Sequence, residues 1–258
     1  MSSVGTKHLQ GFLIAGAKKV PPNTMHDIKL HLKKVYAYLY ATKQSASPYT
    51  ALLSFKVNHE ANVCPCLPQT DVAKLLNSIN RHTRKGKRNY AAMALGAELG
   101  LRACDVILLK LTDIYWINGE IKILQAKTGN SVILLLTSRM GDALQDYIIN
   151  ARRGTDSETI FETLRPPYTP IKLAVTLGEI YPDCCKAVGL PATKRFHTLR
   201  SSLGTAMITN GVSISTAAQV FGDAQMNSMK QYISLDSKRL KCCASPFDGI
   251  TPIGGVAQ

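Results

Sequence analysis

Midway along the chain the hydrophobic period changes. Residues 115–136, YWINGEIKILQAKTGNSVILLL, form β-rich runs broken by Asn118-Gly119 and by Lys127-Thr128-Gly129-Asn130. Asn-Gly suits a two-residue hairpin turn because both residues tolerate positive φ, and the runs on either side are rich in Ile, Leu and Val. Two turns joining three runs give a three-stranded antiparallel sheet. The rest of the chain reads as helix and loop, so the fold class is mainly α with one small sheet (α+β).

The helices are read from apolar spacing and end signals. Thr24 and Asp27 resemble a capping box ahead of Ile28, Leu32, Val35 and Leu39. Lys29, Lys33 and Lys34 fall off that stripe and form either a basic binding face or a solvated one. Residues 56–69, with two prolines and no period, read as a linker. Thr70 then caps a helix carrying Val72, Leu75, Leu76 and Ile79. RHTRKGKR at 81–88 has five Lys or Arg around a glycine and reads as an exposed basic loop: Arg81, Arg84, Lys85, Lys87 and Arg88 suit phosphate contacts or a plain solvated turn. NYAAMALGAELG is a buried helix ending at Gly100. Beyond the sheet, helices are expected over 139–151, 169–188 (opened by Thr169-Pro170), 198–210 and 213–221, with a last one carrying Tyr232.

Composition narrows the class of partner. The 258 residues carry 31 Lys plus Arg against 17 Asp plus Glu, a net charge of +14, divided as +6 over residues 1–65 and +8 over the remainder. A surface of this sign on both sides of the linker attracts a polyanion such as nucleic acid. Seven cysteines, an odd number with two adjacent pairs, point to a reducing compartment. Cys64-Pro65-Cys66 lacks the second pair of ligands that zinc needs, so no metal and no cofactor is expected. No apolar run reaches the roughly 20 residues of a membrane span, and no signal peptide opens the chain. An intracellular, cytoplasmic, DNA-associated protein without a membrane partner is expected.

The stretch FHTLRSS, residues 196–202, places His197 three positions before Arg200, on one face of a helix. Alone, H-x-x-R is more often a satisfied histidine beside a surface arginine. It stands, however, in a series with Arg102 after the Gly100 turn, Lys127 in the second β-turn, and Tyr232. LGLRACDVILLKLTDI, QAKTGN, HTLR and FGDAQMNSMKQY in this order resemble the tyrosine recombinase, or phage integrase, family, with spacings of 25 residues from Arg102 to Lys127 and 32 from Arg200 to Tyr232.

The resemblance implies a metal- and ATP-independent DNA strand exchange through a 3′-phosphotyrosyl intermediate, serving a phage or mobile element. Arg102 and Arg200 would clamp the scissile phosphate, since a planar guanidinium matches two phosphate oxygens and keeps its charge. Tyr232 would be the nucleophile, Lys127 the acid for the leaving 5′-oxygen, and His197 a donor to the phosphate or a helper at the tyrosine. Asp105, one helical turn on, would brace Arg102. Lys194 and Arg195, just before the histidine, join the DNA-contact set. The resemblance further implies a partial helical core-binding domain at 1–62, a catalytic domain at 63–245 and a flexible tail at 246–258. Double-stranded DNA, a homotetramer in a synaptic complex and, optionally, an accessory DNA-bending protein are the implied partners.

Two departures qualify it. Asp223 stands where most of the family has histidine or tryptophan, nine residues before the tyrosine, and a carboxylate beside a phosphate is repulsive unless protonated or turned toward an arginine. The N-terminal part is also shorter than a complete core-binding domain. Two alternatives stay open: a relaxing topoisomerase of the type IB kind, and a catalytically weak DNA-binding protein on the same fold.

Overall fold

A computed structural model describes residues 5–45, 47–57, 65–154, 157–172, 174–191 and 195–222. Asp223, Tyr232, Lys194 and the tail at 246–258 lie outside the described residues. The chain divides into two compact units, Met1–Asn62 and Val63–Gln258. Among the described residues no helix is long and apolar enough to cross a membrane.

The first unit holds α1 (Thr6–Lys19) and α2 (Pro22–Ala41). Leu9, Leu13, Met25 and Leu53 form its small core, with Leu32 and Tyr36 packed against it. The α1 helix was not expected, because only Leu9 and Leu13 are buried along it and two glycines interrupt its pattern. The start of α2 lies two residues before Thr24. Pro22 occupies the first turn, where its fixed φ fits and its missing N–H costs nothing, and no side chain caps the helix.

The second unit is built around α4 (Arg84–Glu98), which is preceded by α3 (Gln69–Asn77) and followed by α5 (Ala103–Leu108). Every residue of α4 from Arg88 to Ala97 is buried. Its small side chains allow close approach: a Cβ added at Gly96 would stand 2.7 Å from Cζ of Phe196. Pro68 stands at the N-terminus of α3, so Thr70 lies inside the first turn and caps nothing.

The sheet follows as β1 (Ile114–Tyr115), β2 (Glu120–Leu124) and β3 (Ser131–Leu135), antiparallel in the order β1-β2-β3. Ile121 faces Leu134 and Ile123 faces Val132 across the ladder, and all four are buried. The alternate positions Leu124, Ile133 and Leu135 are exposed, as a period of two requires when one face is covered.

Helix α6 (Ser138–Asn150) is capped by the Thr137 side chain, which accepts from Met140 N. Helices α7 (Val175–Ala187), α8 (His197–Thr209) and α9 (Ile214–Phe221) complete the unit. The expected opening of α7 at Thr169-Pro170 is corrected. Those residues return antiparallel to 161–163, with Thr163 N donating to Thr169 O at 2.9 Å and Ile171 N to Phe161 O at 3.2 Å. Backbone donors spent on that pairing are not available to start a helix. The mainly helical class and the small antiparallel sheet agree with the sequence reading.

Candidate functional site

Gly100 turns the chain at a φ of +64°, and Arg102 follows as the N-terminal flanking residue of α5. The turn needs glycine twice over: for its left-handed backbone, and because a Cβ would lie 2.4 Å from Cε1 of Phe221. Arg102 Nη1 donates to Gln125 Oε1 at 2.9 Å and stands 3.9 Å from Asp105 Oδ2. Asp105 is buried, and its other oxygen accepts from Ala126 N at 3.0 Å. Its carboxylate thus reaches both the arginine and the turn after β2. Burial, with the Asp105 charge alongside, pushes the neighbouring Cys104 thiol above its ordinary pKa.

Arg200 lies on α8 and is 2% exposed. It donates from Nη1 to Gly100 O at 2.8 Å and from Nη2 to Phe221 O at 3.1 Å, with its guanidinium 4.2 Å from the centre of the Phe221 ring. Phe221 O also accepts from Gln125 Nε2 at 2.7 Å. Both arginines therefore meet at one buried node made by the Gln125 amide and the last carbonyl of α9. Gln125 was not anticipated as a site residue. The signal was present: inward positions alternate as 121, 123 and 125, so a glutamine at 125 enters the core and must find partners there.

Lys127 is exposed on the turn joining β2 to β3. That turn is held by Gly129 N donating to Gln125 O at 2.9 Å and Thr128 Oγ1 donating to Gln125 Oε1 at 2.8 Å. Asn130 Nδ2 donates to Gly222 O at 2.8 Å, which ties the turn to the residue after α9. His197 is exposed at the first position of α8, three residues before Arg200. The described residues thus bring Arg102, Asp105, Arg200 and the Lys127 turn together, with His197 on the helix that carries Arg200.

The basic stretch 81–88 is corrected. It is not a loop throughout: the Thr83 side chain accepts from Gly86 N at 3.0 Å, and α4 begins at Arg84. Arg84 and Arg88 then share a face of the helix. Arg84 donates to Ala151 O at 2.6 Å. Arg88, 5% exposed, donates to Glu162 O at 3.1 Å, and burial works against its charge. Lys87 is paired with Asp146. Arg81 and Lys85 remain exposed, although Arg81 lies over the Tyr90 ring at 4.3 Å and its Nη2 stands 4.0 Å from Asp146 Oδ2. In the first unit Lys29 donates to Phe55 O at 2.8 Å, whereas Lys33 and Lys34 are exposed, as is Arg195 in the second. Arg84, Lys87, Arg88 and Lys29 are thereby engaged within the protein, and the surface suited to phosphate is narrower than the charge count suggests.

A mainly helical unit with a three-stranded sheet, presenting two arginines, a hairpin lysine and a histidine, defines the class of fold to which known proteins can be compared. The phage integrase family model matches residues 65–239, and the chain belongs to that family. A relative from Sinorhizobium fredii, provisionally named integrase/recombinase y4rA, is 30% identical over 237 residues, covering 90% of this chain and 58% of its own. A second from the same organism, y4rF, is 29% identical, and this chain covers 45% of it. The chain thus spans about half the length of these curated relatives. The tyrosine recombinase XerC of Lactobacillus leichmannii is 22% identical, with 92% of this chain and 80% of XerC covered. Among solved structures, the XerH recombinase bound to a palindromic difH substrate superposes with a TM-score of 0.78 at 20% identity, covering 93% of this chain and 71% of that one. A lambda integrase dimer bound to a core site gives 0.69 at 19%, covering 90% and 80%. At these identities the likeness is one of fold.

Proposed function

We propose that this chain cuts and rejoins double-stranded DNA as a site-specific recombinase or integrase, for a phage or other mobile element. The observation that carries the reading is the node joining Arg102 to Arg200 beside the Lys127 turn: two guanidinium groups, one from the residue before α5 and one from α8, are fixed in place before any substrate arrives. Preset donors of this kind stabilise a developing phosphorane charge without reorganising. The solved relatives support the substrate, since lambda integrase and the Tn1549 transposon integrase are described bound to DNA.

In this reading the Tyr232 hydroxyl gives its proton to water as its oxygen attacks the scissile phosphorus and the bond to the 5′-oxygen breaks. Lys127 gives its proton to that oxygen, and Arg102, Arg200 and His197 donate to the non-bridging oxygens. The product is a 3′-phosphotyrosyl link, which conserves the energy of the phosphodiester. A second 5′-hydroxyl then attacks it and returns a proton to Lys127, the tyrosine leaves and recovers a proton from water, and no ATP is consumed. Residues 1–62 serve as a partial core-binding domain and 63–245 as the catalytic domain, with 246–258 as a tail. A homotetramer brings two sites together, and a DNA-bending accessory protein is compatible with the scheme.

Asp223 favours a second reading, duplex binding with weak or no cleavage, because a carboxylate at that position opposes the charge of the phosphate. The test is a duplex nicked beside the cleavage position, incubated with the full chain and a chelator and resolved under denaturing conditions. Covalent protein–DNA adduct in the chelator supports cleavage by side-chain cations alone. Binding in a native gel without adduct supports the second reading, and relaxation of a separate supercoiled plasmid without synapsis of two sites supports a topoisomerase.

A further inference from the structure

The Gln125 side chain joins three parts of the site. It is 1% exposed. Its Oε1 accepts from Arg102 at 2.9 Å and from Thr128 Oγ1 at 2.8 Å, and its Nε2 donates to Phe221 O at 2.7 Å, the carbonyl that Arg200 also reaches. Only one orientation of the amide is consistent with these partners, since the reverse would set an NH2 against a guanidinium and an oxygen against a carbonyl.

The surroundings reserve space for that amide. A Cβ at Gly222 would stand 2.7 Å from Nε2, and Gly222 itself adopts a φ of +64°, so the residue ending α9 is shaped around the glutamine. No other side chain of this size supplies the same bonds. An ionised glutamate accepts but does not donate, a lysine donates but does not accept, a methionine does neither, and an asparagine is one methylene short.

We infer that Gln125 is the positioning residue of the site, holding Arg102, Arg200 and the Lys127 turn in fixed register with the end of α9, eleven residues before Tyr232. The inference rests on the strand-cutting reading above. Gln125 meets no reacting atom in it and acts through the groups it orients. Losing its two-sided bond lets the arginines and the lysine turn drift relative to one another, and displacement of about 1 Å in such an array costs roughly 100-fold in rate.

The experiment uses the full chain, the nicked duplex at saturation, and single-turnover cleavage measured per folded molecule. Circular dichroism supplies the folded fraction, and DNA affinity is measured separately. Gln125→Met keeps the volume and removes all three bonds. It should cut about 100-fold more slowly while its Kd for the duplex stays within about threefold of wild type. Gln125→Glu keeps the bond from Arg102 and loses the one to Phe221 O, so it should be slowed at least about tenfold. It also stands in should the methionine variant fail to fold. Cleavage within threefold of wild type in whichever variant folds, or a Kd that rises in step with the lost rate, overturns the assignment of Gln125. A wild-type chain that binds DNA and forms no adduct overturns the strand-cutting reading, and this inference with it.

Discussion

Gly100→Ala and Gly129→Ala form a matched pair that separates backbone strain from crowding at the site. Both glycines hold positive φ, +64° and +70°. A Cβ at Gly129 meets nothing within 4 Å, whereas one at Gly100 lies 2.4 Å and 3.0 Å from Cε1 and Cδ1 of Phe221, and 3.2 Å from Cδ2 of Leu203. Left-handed backbone costs alanine roughly 1–2 kcal/mol, partly offset by a stiffer unfolded chain, so about 1 kcal/mol is expected at Gly129. Overpacking adds about 1–3 kcal/mol at Gly100, for a difference of about 2 kcal/mol between the variants. With a urea dependence near 2 kcal/mol per molar, the Gly100 variant should unfold about 1 M earlier than the Gly129 variant. Trp116, the only tryptophan of the chain, lies in the same unit as both glycines and reports its unfolding by fluorescence. The Phe221 ring carries the Arg200 guanidinium, so the Gly100 variant should also cut DNA more slowly under conditions where it remains folded. Coincident midpoints would refute the reasoning, because they would mean that the ring yields without cost.

Three further predictions follow from the same geometry. Neutralising the exposed Arg81 and Lys85 together should weaken binding to all DNA sequences alike and reduce the slope of log K against log salt by roughly 1–2, whereas Arg88→Met should lower stability and leave the slope unchanged; equal slopes in all three proteins would return Arg81 and Lys85 to the solvated surface. Asp223→His should speed single-turnover cleavage without tightening DNA binding, since a neutral or cationic donor favours the transition state over the ground state, and a tenfold or greater fall would show that the carboxylate has a role of its own. Against the opposing effect of partial burial, hydrogen bonds from Lys87 and Asn150 and the charges of Lys87 and Arg81 hold Asp146 below its ordinary pKa. A depressed carboxylate contributes stability that is full above its unfolded pKa of about 4 and is lost as pH falls through the folded value, so wild type should lose more stability on acidification below about pH 4 than Asp146→Asn does.

What the sequence disclosed depended on whether the cause was local. The sheet was legible because Asn118-Gly119 and the 127–130 turn act within a few residues, and α6, α8 and α9 because their apolar spacing and end signals lie along one stretch. The helix start at Thr169-Pro170 was misread because those residues pair back onto 161–163, a return set by the backbone that apolar spacing does not reveal. The basic stretch 81–88 looked like a loop because charge and glycine outweigh the single cap at Thr83, and burial of Arg88 depends on Glu162, 74 residues away. In the site, the order of Arg102, Lys127, His197 and Arg200 could be read directly, since each lies in a recognisable motif. Their connection could not, because the bond from Gln125 to Phe221 O spans 96 residues and ends on a backbone carbonyl, which no residue identity reveals.

The central claim is that this chain becomes covalently attached to DNA through one tyrosine. The most direct measurement is to trap the adduct on a nicked duplex, digest it with protease and nuclease, and locate the modified residue by mass spectrometry. The account predicts a nucleotide joined through its 3′-phosphate to Tyr232, formed in the presence of chelator and lost in Tyr232→Phe, a variant that should still bind the duplex because only a hydroxyl is removed. An adduct on any other residue, a linkage through the 5′-phosphate, or an adduct that persists in Tyr232→Phe would contradict it.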